Sequence, residues 1–349
     1  MSDPAGSPDS RPEIASPTAL AGETEANGVA LELYRRMQLV RAVELEIELL
    51  YKRGEISGSF HSSVGQEACA VGVCAPLRDS DLVTSTHRGH GHAVAKGVPV
   101  SAVFAELLGR VGGVSGGRGG SMHLHHKASG FLGQNAIVGA GLPWAAGAAW
   151  ARRRIGQDSV SVAFTGDGAV AAGAFHEVLV LARHWSSPCL IVCENNGLAH
   201  SMPAAELFGE VGTITEMVAA TGVAARFVDG RDVLAVREVA GELIEETRAS
   251  CTPAFLECAV FRVHPHSIAD PDYRYRGRDE GQRWLDANDP IAKLRDALEP
   301  AAAEKLDEID ADVAGTVADA VARAKESEPT PIGSAMSHIY ATPELAERG

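Results

Sequence analysis

Basic residues are in short supply. The 349-residue chain has 31 lysines and arginines against 46 aspartates and glutamates, a formal charge of −15 with histidine neutral. A surface of that sign repels phosphate backbones and anionic headgroups, so non-specific binding to nucleic acid or to a membrane is excluded, while a local basic pocket is not. Long apolar stretches are also missing: no run reaches the roughly 18 residues that a membrane-spanning helix needs. The six cysteines, Cys69, Cys74, Cys189, Cys193, Cys251 and Cys258, form no CxxC pair, and Cys189, Cys193 and Cys258 lie in apolar runs. They read as reduced core thiols of a cytoplasmic protein, not as zinc ligands or disulfides. Residues 1–27 have neither a basic start nor an apolar stretch, and are expected to be a disordered tail, not a signal peptide. No internal repeat is present. Neither a Walker loop, GxxxxGK-S/T, nor a GxGxxG dinucleotide fingerprint occurs.

What is present is an ordinary globular composition, 45% apolar and 22% charged, at a length near the upper edge of one domain. Residues 29–53 carry apolar side chains at helical spacing. A glycine-rich connection, a helix from Gln66 and a short strand, "DLVTST", follow, and then "HRGHGHAVAKG" and a helix, "SAVFAELLGR". Between Gly112 and Gly120 six of nine residues are glycine, which predicts a loop. The best-defined unit comes next: "SVSVAFTGDG" is an apolar strand ending in a turn, "GAFHEVLVLARHW" a helix, and "PCLIVCENN" a second buried strand. Strand, turn, helix and strand in this order make a βαβ unit. "GVAARFVDG", "DVLAVREVAGELIEETRAS" and "PAFLECAVFRV" repeat the rhythm, and residues 290–327 read as acidic helix. The fold class is therefore α/β, a doubly wound, mostly parallel sheet with helices on both faces. It occupies one domain over 28–330, between the tail 1–27 and a C-terminal tail over 331–349.

Both the Gly-Asp-Gly turn at 166–168 and the asparagine pair at 195–196 fall where strands end, which is where ligands bind in an open parallel sheet. A carboxylate and an amide oxygen are hard ligands suited to Mg²⁺, which takes its remaining ligands from phosphates and water. Gly166 and Gly168 let backbone approach a phosphate, and the helix that follows presents free N–H groups. The pattern predicts a magnesium-bound diphosphate at Asp167 and Asn196. A Gly-Asp-Gly turn by itself is common for structural reasons; the turn, helix, strand and asparagine pair together are far more specific.

Together these residues resemble the thiamine-diphosphate motif, and the chain is similar to a thiamine-diphosphate-binding fold. "STHRGHGHAVAKGV", "GGRGGSMHL", "GQNAIVGAGLP", "FHEVLVLARHWSSPCLIVCENNGLAHSMP" and "HPHSIADPDYRYR" narrow it further. In that order they resemble the alpha subunit of the thiamine-dependent 2-oxo acid dehydrogenases, the family of pyruvate, branched-chain 2-oxo acid and acetoin dehydrogenases. The segment around His87-Arg88 looks most like the acetoin type; pyruvate members usually have Tyr-Arg there.

The resemblance implies roles. Asp167, Asn196 and the carbonyl of Leu198 would be metal ligands, Leu198 standing where tyrosine is usual. Gly168 and Ala169 would contact the diphosphate, with Arg88 as its countercharge. Ala136 and Val138 would lie against the aminopyrimidine, and His87 would border the cofactor. His61 and His266 would be catalytic imidazoles, His266 also touching the cofactor; His90, His92, His123, His125 and His126 are expected to be polar loop residues. A 2-oxo acid or acetoin would be cleaved and its acyl group passed to the lipoyl group of an acyltransferase. The glutamate that activates the cofactor would come from a beta subunit, since no candidate is found here, giving a two-alpha two-beta heterotetramer. Departures from the pattern are Ala171 and Ala172 for Asn and Glu or Gln, Val180 for Asn, and Pro265 for Gly. A self-contained enzyme of the transketolase kind needs a longer chain. A magnesium phosphohydrolase needs a nucleophile that "TGDG" does not offer. A non-catalytic thiamine-binding scaffold, or an acyl-transfer enzyme of specialised metabolism, remains open at this stage.

Overall fold

The computed structural model describes residues 23–208 and 213–334. Helix α1 (Glu23–Lys52) begins inside the stretch expected to be a tail, because its helical residues continue upstream of the apolar pattern; residues 1–22 lie outside the described part. There follow α2 (Glu67–Cys74), β1 (Leu82–Ser85), α3 (His90–Ala95), α4 (Val100–Leu107), β2 (Phe131–Gln134), α5 (Gly141–Arg154), β3 (Ser161–Gly166), α6 (Asp167–Val170) and α7 (Gly173–His184). The second half holds β4 (Cys189–Asn195), the short hairpin β5 (Leu198–Ala199) and β6 (Met202–Pro203), α8 (Ala204–Phe208), α9 (Ile214–Ala219), β7 (Ala224–Asp229), α10 (Val233–Ser250), β8 (Ala254–Ala259), α11 (Glu280–Asn288) and α12 (Pro290–Glu326). Helix α12 covers the acidic stretch but contains Pro300 and breaks at Ala302, where the backbone leaves helical geometry.

Six parallel strands form one sheet in the order β2-β1-β3-β4-β8-β7. Alternation along the central strands assigns their side chains to two cores. Val162, Phe164, Leu190, Val192, Leu256 and Cys258 face the side packed by α1, α2, α4, α10 and α12. Ala163, Ile191, Cys193 and Phe255 face α5, α7 and α9. Helix α7 shows why these segments are helical. Phe175, Val178, Leu179 and Ala182, spaced three or four apart, are its buried residues. Helix α10 starts at Asp232, whose carboxylate accepts from Leu234 N–H and Ala235 N–H, and ends at Cys251 in the left-handed region.

Below the sheet, Asp81 and Arg248 form a buried bidentate pair at 3.0 and 2.8 Å, and Asp81 also accepts from the N–H groups of Val160 and Arg78. Breaking such a pair from one side costs about 3–5 kcal/mol, so it ties α10 firmly to the amino ends of β1 and β3. The glycine-rich loop is built around the buried Glu106. Its carboxylate accepts from the N–H groups of Ser115, Gly117, Gly119 and Gly120. Gly117 sits at φ +70°, and a β-carbon there would lie 2.6 Å from the backbone of Gly109 and Arg110, so only glycine closes the loop this tightly.

The winding direction reverses beside β1, with β2 on one flank and β3 on the other. A crevice opens at the carboxyl ends of the strands there. Register sets its depth: Gly166 pairs with Glu194 and Asn195 with Ala259, so the residues after β3, β4 and β8 emerge at one rim.

Candidate active site

A cavity of about 510 Å³ fills that crevice, within the usual size of a cofactor or small-ligand site. Residues 86–88 after β1, 135–139 after β2, 166–169 after β3, and Asn196 and Leu198 after β4 line it. Arg262 and His266 enter from the segment after β8, and His61 from the connection between α1 and α2. Every residue assigned a cofactor, metal or catalytic role on sequence grounds is in this lining: His61, His87, Arg88, Ala136, Val138, Asp167, Gly168, Ala169, Asn196, Leu198 and His266.

The asparagine pair divides its work. Asn195 is turned back into the sheet, its Nδ2 donating to Glu257 at 2.7 Å. Asn196 lines the cavity, and its Oδ1 accepts from Leu198 N–H at 3.1 Å. Asp167 is 2% exposed. Its Oδ1 accepts from Gly168 N–H, and its Oδ2 has no partner among the described residues. Burial pushes this carboxyl up to about 6. Gly168 needs its missing side chain, since a β-carbon would lie 3.0 Å from the Ala199 side chain and 3.2 Å from its backbone.

Two guanidiniums share the cavity. Arg88 is 5% exposed and donates to the carbonyl oxygens of Ser62 and His266, the latter at 3.1 Å. Burial, then the nearby Arg262, brings it down to about 10. Arg262 donates to Tyr275 Oη at 2.9 Å and has an unpartnered, buried Nε; it too is lowered, chiefly by burial. Neither makes an ion pair among the described residues. Among the described residues the cavity thus holds a buried carboxylate and two guanidiniums that make no ion pair, charges whose burial a ligand of opposite charge would compensate.

His61 meets His87 and His266 face to edge, with ring centroids 4.5 and 5.0 Å apart, and His87 and His266 lie tilted to each other at 5.2 Å. Burial, followed by the Arg88 charge, holds all three below the ordinary range, His61 at about 4, His266 at about 3 and His87 at about 2. They are neutral imidazoles at physiological pH, each with one ring nitrogen to donate a hydrogen bond and one to accept.

This cluster predicts acid sensitivity. The three rings are neutral in the folded chain, while each takes up a proton in the unfolded chain below about pH 6.5. The unfolded state then binds more protons, so stability falls as pH drops from about 6.5 towards 4. Asp167, raised to about 6, acts in the opposite direction with one proton against three. Calorimetric melting of the cofactor-free chain should give a Tm that declines through this window; a flat or rising Tm would contradict the neutral cluster.

Two expectations need correction. His90 and His92 are not loop residues: both lie on α3 and are fully buried. His92 bridges Ser85 Oγ at 2.7 Å and Glu194 at 3.1 Å while stacked 3.7 Å from Phe164; His90 bonds Ser121 and lies 3.4 Å from Glu44. The sequence shows them only as part of a glycine-rich run, and tertiary contact extends α3 through it. His123 and His125 are exposed and His126 accepts from Ser129 N–H in a turn, so "HLHH" belongs to no cluster of potential metal ligands among the described residues. Arg262 and His200 also line the cavity and had not been singled out. Arg262 was open to discovery by the strand-end rule, as it follows β8 closely; nothing in the residues around His200 signals its place.

The departures fall outside the cavity lining. Ala171 is exposed and Val180 is 64% exposed on the outer face of α7. Trp144, Trp150, Leu181 and Trp185 are exposed on the same two helices, α5 and α7, and at the end of α7. Among the described residues, no helix is long and apolar enough to cross a membrane.

Comparison with known proteins gives one family. Residues 35–332 match the dehydrogenase E1 component. The chain is 37% identical over 316 residues to the alpha subunit of acetoin:2,6-dichlorophenolindophenol oxidoreductase from Bacillus subtilis, covering 90% of this chain and 94% of the relative. It is 40% identical over 300 residues to the subunit of the same name from Cupriavidus necator, covering 84% and 89%. To the human mitochondrial pyruvate dehydrogenase E1 component subunit alpha, somatic form, it is 37% identical over 331 residues, covering 91% and 82%.

Proposed function

We propose, for a chain that belongs to the dehydrogenase E1 component family, that it is the alpha subunit of a thiamine-diphosphate-dependent dehydrogenase cleaving a 2-oxo acid or acetoin in concert with a beta subunit. One observation carries the reading: among the described residues Asp167 has a buried oxygen without a partner, and neither it nor Arg88 nor Arg262 makes an ion pair, although all three line the same cavity. Magnesium diphosphate would supply a cation to the first and an anion to the other two.

Asp167 Oδ2, Asn196 and the Leu198 carbonyl would hold Mg²⁺, a hard cation that prefers such oxygens. Gly168 and Ala169 would give backbone N–H groups to the diphosphate, and Arg88, with Arg262 beyond it, would balance its charge. His87 would border the cofactor, and Ala136 and Val138 would line the aminopyrimidine end. Thiamine diphosphate, when bound, supplies a nucleophilic ring carbon that holds the electron pair left by cleavage. The protein's part is to position and to stabilise. Neutral His266 and His61 would donate hydrogen bonds to the oxygen on which charge develops. Because their protons are already in place at neutral pH, no uptake precedes the reaction.

Ile137 and Val138 are 70% and 57% exposed at the cavity rim. An apolar rim of that kind suits coverage by the beta subunit, which would bring the activating glutamate; Glu194 in this cavity is held by His92. Ala171 and Val180 are exposed, so these two departures suit a subunit contact and do not by themselves favour a non-catalytic scaffold. We read 28–330 as one domain, the acyl acceptor as the lipoyl group of an acyltransferase, and the location as the cytoplasm. The free state of all six cysteines fits a reducing compartment.

The experiment is reconstitution with a beta subunit and assay of dye reduction with pyruvate, branched 2-oxo acids and acetoin, cofactor and Mg²⁺ present. Turnover of none of them would remove the reading. In the same assay His266→Ala should keep cofactor affinity and lose about 10²–10⁴ in kcat, the usual worth of one positioned imidazole. Wild-type kcat on every substrate would remove His266 from the chemistry.

A further inference from the structure

His266 has no regular secondary structure beneath it and no hydrogen bond to its ring among the described residues. Its backbone is anchored: N–H donates to Asp270 Oδ2 at 2.9 Å and the carbonyl accepts from Arg88 at 3.1 Å. Its imidazole is located by neighbouring rings. His61 and His87 flank it on the cavity side. A third ring, His200, is nearer than either, with centroids 4.3 Å apart and planes tilted by 47°.

His200 arrives by an unusual route. It occupies the turn of the β5–β6 hairpin at φ +58°, a conformation that glycine adopts freely and a residue with a β-carbon adopts at a cost. Its side chain is 60% exposed, and its Nε2 lies 3.8 Å from Asp270 Oδ1. Asp270 is the same carboxylate that holds His266 N–H and accepts from Tyr275 Oη. The hairpin after β4 and the loop after β8 therefore meet at the mouth of the cavity through His200, His266 and Asp270.

We propose that His200 is a positioning residue for His266: its ring forms the solvent-side wall that keeps the His266 imidazole turned into the cavity. Packing of one ring on another is directional, because ring faces and edges attract at particular tilts. Without that wall, an imidazole lacking hydrogen bonds is free to rotate about its side-chain bonds toward solvent. The effect of His200 is then on the orientation of a group that acts in catalysis, and not on the cofactor cradle. The proposal rests on the catalytic reading of His266 given above.

The test uses the chain assembled with its beta subunit and loaded with thiamine diphosphate and Mg²⁺, in three variants. H200A removes the ring and the polar contact, H200F keeps a ring, and H200N keeps only a polar group toward Asp270 while tolerating positive φ. Turnover is measured with pyruvate and acetoin, cofactor affinity by calorimetry, and the carbethoxylation rate of His266 by diethyl pyrocarbonate and peptide mass spectrometry. H200A and H200N should lose about ten- to a hundredfold in kcat, the scale of a misplaced catalytic group, with KM and cofactor affinity unchanged and His266 reacting faster. H200F should restore both the turnover and the protection of His266. Wild-type behaviour of H200A overturns the proposal, as does rescue by H200N but not by H200F, or a loss of cofactor affinity in step with kcat. If the wild-type assembly turns over neither substrate, the functional reading fails, while the carbethoxylation rates still decide the role of His200.

Discussion

Asp167→Asn should abolish retention of thiamine diphosphate and leave the fold at least as stable as the wild type. The two effects separate because Asp167 is a poor structural residue. It is 2% exposed, one oxygen is unpartnered, and burial raises it to about 6. A carboxylate in that setting destabilises the empty protein and is compensated only when a cation arrives. The amide is uncharged, so the empty chain is relieved of a buried charge while the metal loses its strongest ligand. Asn196→Ala should have the same effect on retention, with a modest loss of stability because Asn196 Oδ1 accepts from Leu198 N–H at the start of the hairpin. Calorimetric titration of the assembled complex with Mg²⁺ and cofactor, beside thermal melts of each variant, separates the contributions. Unchanged affinity in both variants would remove the metal assignment. A collapse in Tm for Asp167→Asn would make the residue structural.

The isolated polypeptide should show no turnover and should bind thiamine diphosphate weakly, becoming active only as two copies with two beta subunits. The described residues account for one end of the proposed cofactor site: the cavity lies at the ends of β1, β3, β4 and β8, lined by the residues proposed to hold the metal and the diphosphate. The other end opens at a rim where Ile137 and Val138 are exposed, with no free carboxylate to activate the pyrimidine. The outer face of α5 and α7 exposes Trp144, Trp150, Val180, Leu181 and Trp185, an apolar surface of the kind that marks a contact with another protein. Purification of this chain alone, followed by cofactor titration and dye-reduction assays with pyruvate, branched 2-oxo acids and acetoin, provides the measurement. A rate of about 1 s⁻¹ or more, typical of an enzyme, from the lone chain would sink the half-site reading.

Much of the architecture could be read along the chain because the central strands are short, apolar and separated by amphipathic helices. The strand ending in Gly166, helix α7 and the strand ending in Asn195 fall where periodicity puts them. Strand β2 escaped notice: its four residues, Phe131–Gln134, follow a glycine-rich loop and gain their pairing from β1. The β5–β6 hairpin escaped for a similar reason, since two-residue strands have no period to read. The start of α1 at Glu23 and the break at Ala302 are end effects that apolar spacing does not report.

Local order along the chain was enough to establish the α/β class, the strand-end position of Asp167 and Asn196, and the motif that names the family, because each depends on residues close in sequence. Tertiary structure alone decided what the other asparagine does, since Asn195 is claimed by Glu257 from a strand 62 residues away. It also decided that His90 and His92 are buried supports, that Arg262 joins Arg88, and that four imidazoles from four segments meet at one mouth. These depend on contacts between distant residues and on the burial that shifts their protonation, and burial is a property of the assembled sheet and its two helical layers, not of any one segment.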